Sequence, residues 1–444
     1  MTEATSQDRP LWLRIPLYLQ IAIALALAVL TGILLGAGNP NPANITLIKN
    51  LAIPCDLILK ILRALATPLI LLAVLHTFLT ASIPGTAGRR LFTLLIANTT
   101  VAILIGLLVA NILQPGKWGQ LELALGTNQA PKQLDPWSLL QDSIPGSVLQ
   151  PLVDNNVIQI IIIALSFGIA LRGLKTEQIE RNRTEYLAFE QVITILFEAV
   201  IRIVEWVIVL IPLAVFGIVA KTVALEGFSP FKSLGAFIIA VLLALLLQAC
   251  YYLLRVQFGS WVNPVKFLVG GVDAFLTGFS TSSSTVTMPI TFRVLQEKIG
   301  LRESSASLGA LVGSNFNNDG TALYEAMAAL FVAQIVGQNL SLPQQFLIVI
   351  TSIFASVGAA GIPNAGLVTM TLVFSSVGLP TEYIALLITV DWFLDRCRTA
   401  INIMGDMTVS SILDGKQKKQ EEADIDELKI AIERADSTSI ETGE

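Results

Sequence analysis

A stretch near the end of the chain, DWFLDRCRTAINIMGD, carries charged and polar side chains at a spacing that suits binding chemistry. Asp391, Asp395, Arg398, Asn402 and Asp406 follow one another in steps of three or four residues. Because an α-helix has about 3.6 residues per turn, this spacing places all five on one helix face. The stretch follows the apolar sequence TEYIALLITV, so we expect lipid or protein around it. Charges in such surroundings are costly and usually serve a function.

The composition is typical of a polytopic membrane protein. The chain has 444 residues, of which 54% are hydrophobic and only 14% are charged, and its mean hydropathy is +0.71. Soluble proteins average about 25% charged residues. A spanning helix needs about 20 residues, so roughly eight crossings and some shorter pieces fit into the chain. The net charge of -5 gives no indication of a nucleic-acid partner.

The apolar segments and the loops between them predict the topology. Apolar spans lie near residues 16–37, 51–80, 91–113, 150–171, 187–220 and 234–256. Basic residues are more frequent in the loops on the side where the chain begins, which predicts a cytoplasmic N-terminus. Arg255 and Arg293 stay on that side only if residues 262–291 enter the membrane and return without crossing it. We therefore expect a re-entrant hairpin there.

Three further segments in the last third of the chain are too polar or too broken for ordinary spanning helices. Ser280–Pro289 is a run of hydroxyl residues between apolar arms, which suits the tip of a helical hairpin. In Gly313–Glu325, asparagine and aspartate crowd together, and Gly320 predicts a break in the helix. Ser356–Gly366 contains three glycines and a proline and predicts a second hairpin tip. Broken helices expose carbonyls and helix ends that can hold ions.

The polar helix face has the charges that an acidic amino acid would need. Asp395 can attract an ammonium group, and Arg398 can hold a carboxylate by two parallel hydrogen bonds. Thr399 and Asn402 add neutral donors and acceptors. A binding site for an amino acid with an acidic side chain is the hypothesis that these residues support best.

The remaining carboxylates suggest coupling ions. Asp319 and Asp406, with amide and main-chain oxygens near them, are hard ligands that suit Na⁺ better than soft metals. Glu325 lies on the helix that follows Asp319, and a lone carboxyl away from water can carry a proton. It is the proton-carrier candidate.

Two other classes of function deserve comparison. An intramembrane aspartyl protease could use Asp319 and Asp406, but the chain lacks the GxGD context of that class, and a serine hydrolase would depend on His76 alone. An ion channel is a third class, which substrate-independent current without coupled uptake would distinguish. We favour a transporter and predict that the protein is not an enzyme.

Four motifs together indicate a known family. SSSTVTMP, NNDGTALYEA, GAAGIPNAG and DWFLDRCRTAINIMGD resemble, in this order, four signatures of the dicarboxylate/amino acid:cation symporters, the glutamate or excitatory amino acid transporter family. The resemblance covers nearly the whole chain. It implies an all-α membrane protein with eight transmembrane helices, two re-entrant helical hairpins, a homotrimer and an elevator mechanism. The chain looks like a prokaryotic member in the cell inner membrane, in contact with lipid and with both termini cytoplasmic.

The resemblance also implies a division of the chain into four parts. These are a cytoplasmic tail at 1–15, transmembrane helices 1–6 at 16–256, a transport core at 257–414 and a cytoplasmic tail at 415–444. Helices 1–6 would form the scaffold and trimer contacts, with helices 3 and 6 joining the transport part. The transport core would hold hairpin one, helix 7, hairpin two and helix 8.

Carried over by position, the resemblance assigns substrate contacts. Asp395 would bind the ammonium group and Arg398 the side-chain carboxylate of the substrate. The other expected contacts are polar side chains at Thr321, Thr399 and Asn402 and backbone groups at Ser283, Ser284, Ile362 and Gly366.

The resemblance points to three sodium sites as well. The residues of the first are Gly313, Asn317, Asn402 and Asp406. Main-chain oxygens would form the second, at Asn315, Ser356, Val357 and Ala359. The third would use Thr99, Thr100, Asn317 and Asp319.

Some positions distinguish this chain within the family. Ser282 and Arg396 are auxiliary site residues, and this pair looks more like the animal carriers of the family than the archaeal ones, which tend to have an arginine in the hairpin. Glu325 occupies the family's proton-carrying position. Asn318 replaces the usual methionine of NMDGT, and Ile96 stands where a sodium-site tyrosine is expected. Asn315 also departs from the family's threonine.

The function expected from all this is Na⁺-coupled uptake of L-glutamate or L-aspartate, with H⁺ coupling as an open addition and K⁺ coupling undecided. A proton-coupled carrier, or a carrier of neutral amino acids or dicarboxylates within the same family, is the alternative. The equivalents of Asp395 and Asp406 are absent from the family's dicarboxylate carriers, which favours an amino acid.

Overall fold

The computed structural model describes residues 15–80, 85–118, 144–154, 156–358 and 365–417. Within these ranges every regular element is helical, which agrees with the predicted all-α class. Most of both predicted tails lies outside the described residues, and so do the predicted site residues Ile362 and Ala359. Of Asn315 and Val357, only the backbone is described.

The helices before residue 260 follow the predicted apolar spans. They are α1 (Leu17–Leu34), α2 (Ile45–Asn50), α3 (Ile53–Thr80), α4 (Gly85–Leu113), α5 (Gln150–Asp154), α6 (Val157–Glu180), α7 (Glu185–Ile208), α8 (Ile211–Glu226) and α9 (Ser229–Gly259).

The last third of the chain contains shorter helices and one long one. They are α10 (Pro264–Thr281), α11 (Ser284–Val294), α12 (Glu303–Ser307), α13 (Gly313–Phe316), α14 (Asp319–Ile335), α15 (Leu342–Gly358), α16 (Ala365–Ser376) and α17 (Ile384–Asp414). Turns of π-helix at Leu295–Ile299 and Leu308–Val312 follow α11 and α12.

Several helices have the length and apolarity to cross a membrane. Among the described residues these are the helical segments Pro42–Thr80, Arg89–Lys117 and Pro230–Gly259, and a bent pair of helices would make a fourth. Large apolar side chains on these helices are exposed, for example Leu57, Leu104 and Leu246. Exposed apolar surface of this extent is typical of contact with lipid or another protein.

The predicted apolar span at residues 187–220 is occupied by two helices. Helices α7 and α8 meet at a bend of 44°. Pro212 is the second residue of α8, where its missing N–H costs nothing, but it could not continue α7 without losing a hydrogen bond.

Helix α14 lies at the centre of the fold. Every residue from Asp319 to Ala333 is buried, and most of the side chains in this helix are small and apolar. A helix that is apolar on all sides is a core element. It packs against α4, α15 and α17, and on α4 the absence of a side chain at Gly106 lets the helices approach, since a Cβ there would lie 2.9 Å from the carbonyl oxygen of Leu323.

Two pairs of short helices pack against each other in the last third of the chain. Helices α10 and α11 are joined by Ser282 and Ser283 only, so the chain reverses at the hydroxyl-rich segment that the sequence predicts as a tip. Helices α15 and α16 also pack together, and residues 359–364 between them lie outside the described residues. Asn263 begins α10 by accepting a hydrogen bond from the Val265 amide.

Close helix contact at Gly217 predicts a specific sensitivity of the fold. A Cβ at Gly217 of α8 would lie 1.9 Å from the carbonyl oxygen of Leu51, which is backbone and cannot turn away. We expect Gly217→Ala to lower the thermal unfolding temperature of the detergent-purified protein markedly. The control is Gly235→Ala in α9, where a Cβ meets nothing within 4 Å. Since alanine favours a helix over glycine by about 1 kcal/mol, the control should melt at or above the wild-type temperature. Equal melting of the two variants would contradict the observed packing.

Candidate functional site

Helix α17 carries the polar face that the sequence predicts. It runs unbroken for 31 residues, and Asp391, Asp395, Arg398, Asn402 and Asp406 are all buried. Its centre packs against α10 of the first helix pair, against α14 and against α16 of the second pair. The polar face is thus enclosed by protein.

Arg398 lies between two carboxylates of its own helix. Its Nη2 donates to Asp395 Oδ1 at 2.6 Å and is 2.9 Å from Asp391 Oδ1. Its guanidinium also lies over the Tyr324 ring of α14, with Cζ 4.0 Å from the ring centroid. The side chain is 0% exposed, so ion pairing and the aromatic face take the place of hydration.

The same guanidinium faces the second helix pair. A Cβ at Gly366 would lie 3.3 Å from Arg398 Nη1 and 3.4 Å from Thr321 Cγ2. Within the described part of the chain, Nη1 and Nε of Arg398 have no hydrogen-bond partner. An arginine with such donors can take a carboxylate by a charge-assisted hydrogen bond.

The helix break before α14 lies at Asn317 and Asn318, not at the predicted Gly320. Gly320 is in the first turn of α14, where a Cβ would lie 2.7 Å from the carbonyl oxygen of Arg398. Its lack of a side chain therefore allows α14 to approach α17. The break itself falls where asparagine side chains can bond to backbone groups in place of the helix.

Asn402 holds the beginning of α14. Its Oδ1 accepts from the Gly320 amide at 2.8 Å, and its Nδ2 is 3.3 Å from Asn318 Oδ1 and 3.5 Å from Thr321 Oγ1. First-turn amides of a helix have no partner within the helix, so a buried side chain must supply one. Thr399, one turn before, uses its hydroxyl to bond the carbonyl of Asp395 at 2.8 Å.

Buried oxygens converge beside the break. Asp406 Oδ1 and Asn317 Oδ1 are both buried without a hydrogen-bond partner among the described residues. Gly313 leaves room next to them, because a Cβ there would lie 3.2 Å from Asp406 Oδ1. Asn317 also donates to the Asn402 carbonyl at 3.2 Å. The members of the first expected sodium site thus come together, and their oxygens fit a hard cation.

Asp319 lies at the start of α14 and is 0% exposed. The Thr99 hydroxyl donates to its Oδ1 at 2.5 Å, and the Tyr252 hydroxyl donates to its Oδ2. Thr99 and Asp319, which belong to the third expected sodium site, are therefore in direct contact. Thr100 is half-buried next to Thr99.

The second expected sodium site is only partly described. The Ser356 carbonyl accepts from Asn318 Nδ2 at 2.9 Å, which connects the end of α15 to the break before α14. Asn315 and Val357 lie in α13 and α15 respectively.

The first hairpin tip is built by serine residues. Ser282 has a left-handed backbone with φ of 55° and ends α10, and Ser283 begins α11 by accepting from the Val286 amide at 3.2 Å. The Ser284 hydroxyl is buried without a partner among the described residues. Arg396 donates to the carbonyls of Phe279 and Ser280 at 2.9 and 2.6 Å, so it bonds α17 to the last turn of α10.

Glu325, the proton-carrier candidate, is 0% exposed in α14. The Thr369 hydroxyl of α16 donates to its Oε1, and its Oε2 has no hydrogen-bond partner among the described residues. This carboxyl therefore connects α14 to the second helix pair.

Sequence reasoning missed the partners that hold the functional side chains. Tyr252, Tyr324, Thr369 and the pairing role of Asp391 were not predicted. Asp391 was identifiable, because it shares the helix face of Arg398. Tyr324 lies within the motif NNDGTALYEA, but its contact with Arg398 follows only from the fold. No local motif marks Tyr252 and Thr369, since they come from separate helices that only the fold brings together.

Comparison with known proteins decides the family. The family model described as the sodium:dicarboxylate symporter family matches residues 17–416, which is most of the chain. The chain belongs to this family. The fit includes both helix pairs and α17, so the site lies within the matched region.

Relatives in animals are similar over nearly their full length. Excitatory amino acid transporter 3 of Oryctolagus cuniculus is 29% identical over 458 residues, covering 90% of this chain and 86% of the relative. Excitatory amino acid transporter 4 of Mus musculus is 30% identical, covering 91% and 84%. An excitatory amino acid transporter of Caenorhabditis elegans is 29% identical, covering 90% and 88%.

Family membership settles the broad class. The protein is a membrane transporter of a sodium symporter family that takes small-molecule substrates, and it is not an enzyme. The protease alternative is therefore wrong. His76, on which the hydrolase alternative depended, stacks on the Phe197 ring at 4.9 Å between centroids.

The contacts of Asn402 predict a structural role before any ligand binds. We expect Asn402→Ala to lower the thermal unfolding temperature in Na⁺-free, substrate-free detergent solution, because a buried amide left unpaired costs about 1–3 kcal/mol. The control is Asn111→Ala, an exposed residue of α4 whose amide donates to the Gln345 side chain at the surface, and it should melt close to wild type. Wild-type melting of Asn402→Ala would show that Asn402 does not hold α14.

Proposed function

We propose that this transporter carries L-aspartate or L-glutamate into the cell together with Na⁺. The observation that supports it best is the fully buried Arg398 guanidinium, paired with Asp391 and Asp395 and facing Gly366 in the first turn of α16. A substrate with an ammonium group and a side-chain carboxylate matches this pair of charges. The relatives, which are excitatory amino acid transporters, support the same substrate class.

The substrate would exchange partners with the residues of α17. Its ammonium group would take the carboxylate of Asp395, and its side-chain carboxylate would take donors of Arg398, which keeps Asp391 as a counter-ion. The side chains of Thr321, Thr399 and Asn402 would bond the remaining polar atoms of the substrate. Backbone groups at Ser283, Ser284, Ile362 and Gly366 would complete the site at the two tips.

Sodium ions would bind where oxygens converge around the broken helix. The buried oxygens of Asn317 and Asp406 beside Gly313 support a first site, and Thr99 with Asp319 supports another. Asn315, Ser356, Val357 and Ala359 remain the proposed second site. In each place the cation supplies positive charge that buried carboxylates and carbonyls otherwise lack, so its binding favours the ordered arrangement of the break.

Glu325 is the proposed proton carrier. Its contact with Thr369 places it between α14 and the second helix pair, one residue from the ring under Arg398. A carboxyl there can respond to substrate binding, because the guanidinium and the second pair both adjoin it. H⁺ coupling is thus part of the proposal, and we make none for K⁺.

The proposed architecture follows the family. It has eight spanning helices, two re-entrant hairpins formed by α10–α11 and α15–α16, and a homotrimer in the inner membrane with cytoplasmic termini. The part at 257–414 would move as an elevator against the scaffold at 16–256, with tails at 1–15 and 415–444. Contacts with α17, made by α10 and α11 of the first pair and by α16 of the second, support the movement of both pairs as one body.

Uptake by liposomes tests the function. Purified protein in liposomes with an inward Na⁺ gradient should accumulate labelled L-aspartate, because the gradient supplies the free energy. Separately imposed H⁺ and K⁺ gradients then identify further coupled ions. Absence of uptake under every gradient would contradict the proposal.

Charge recognition by Arg398 predicts a change in selectivity. Arg398→Gln removes the positive charge, so uptake of aspartate should fall by at least about tenfold, while Na⁺-driven uptake of neutral amino acids such as serine should appear or rise. Competition between labelled aspartate and unlabelled serine measures this. The control is Arg293→Gln, an exposed arginine of α11 outside the proposed site, which should keep acidic selectivity. Unchanged selectivity in Arg398→Gln would remove Arg398 from its proposed role.

A further inference from the structure

The two oxygens of Asp319 are held by hydroxyl groups from different helices. Thr99 of α4 bonds Oδ1, and Tyr252 of α9 bonds Oδ2. The carboxylate is 0% exposed, so these two donors replace water. Its orientation therefore depends on both.

The two donors differ in their freedom. The Thr99 hydroxyl also lies 3.0 Å from the Leu95 carbonyl of its own helix, so it has a second acceptor to which it can turn its proton. When it does so, a lone pair of its oxygen can face a cation, since a hydroxyl is both donor and acceptor. Thr99 can thus exchange Asp319 for a cation without losing its hydrogen bond.

Tyr252 is held more rigidly. Its side chain is 0% exposed, and its hydroxyl approaches the backbone of α17, where a Cβ at Gly405 would lie 2.8 Å from it. Gly405 also leaves room for the Asn317 side chain, because a Cβ at Gly405 would lie 2.3 Å from Asn317 Nδ2. Tyr252 therefore reaches the region between Asp319 and the oxygens beside the helix break.

This tyrosine lies on α9, a helix that contributes none of the expected sodium ligands. On α4 the expected tyrosine position is Ile96, which has no polar atom and is 47% exposed. The aromatic hydroxyl that bonds Asp319 is supplied by α9 instead.

We propose that Tyr252 is a positioning residue of the cation site at Thr99 and Asp319. Its hydrogen bond fixes Oδ2, so that Oδ1 stays turned toward Thr99. The cation binds on that side, and the Thr99 hydroxyl rotates to donate its hydrogen bond to the Leu95 carbonyl. This inference rests on the proposed Na⁺ coupling. In this role Tyr252 increases the affinity of the site for the cation and takes no part in recognising the substrate.

Sodium binding without substrate tests the role. The unfolding temperature of the purified protein is measured against Na⁺ concentration, with choline keeping the ionic strength constant. Tyr252→Phe keeps the ring but frees the carboxylate, and the Na⁺ concentration for half of the stabilisation should rise about tenfold, the loss expected for one hydrogen bond to a charged group. In liposomes, the Na⁺ concentration that gives half-maximal uptake should rise by a similar factor. The KM for aspartate at saturating Na⁺ should stay close to wild type.

The neighbouring tyrosine is a matched control. Tyr251→Phe makes the same chemical change on the same helix, but its hydroxyl accepts from Arg255 at 2.8 Å and does not bond Asp319. It should leave the Na⁺ dependence unchanged. Equal Na⁺ dependence in both variants, or tighter Na⁺ binding by Tyr252→Phe, would overturn the role of Tyr252. If Na⁺ neither raised the unfolding temperature of the wild-type protein nor drove its uptake of aspartate, the proposed Na⁺ coupling itself would be refuted.

Discussion

The structure depends on one buried charge, the guanidinium of Arg398. A charge in the interior of a membrane protein is costly unless other groups replace its hydration. Here the carboxylates of Asp391 and Asp395 and the ring of Tyr324 do so. Removing any of these groups leaves the rest uncompensated, so this cluster constrains both α17 and α14. Nε and Nη1 of the arginine have no hydrogen-bond partner within the described part of the chain.

The broken helix is the second constraint and follows from the first. Because α14 must bring Tyr324 under Arg398, its first turn has to pass close to α17, which only the glycine at 320 permits. The chain before it is broken at Asn317 and Asn318, and the side chain of Asn402 bonds the Gly320 amide. The carbonyl and carboxyl oxygens that this break gathers are the groups on which a coupled cation would depend.

Much of this arrangement could be predicted from the sequence, and the reasons are physical. The steps of three and four between Asp391 and Asp406 fix a helix face whatever surrounds it. The run of hydroxyl residues around Ser283 marks a hairpin tip, because such residues suit helix ends better than lipid. The exact break was missed, since glycine is as often a contact point as a helix end, and here asparagine supplied the alternative bonds. Tyr252 and Thr369 could not be predicted, because their function arises only from contacts between distant helices.

The central claim is that the charges of α17 exchange their internal partners for those of an amino acid. An experimental structure with saturating Na⁺ and L-aspartate tests it most directly. The account predicts density for the side-chain carboxylate of aspartate within hydrogen-bond distance of Arg398, and for its ammonium group beside Asp395. Density for the ligand elsewhere, with the Arg398–Asp395 ion pair closed as before, would contradict it.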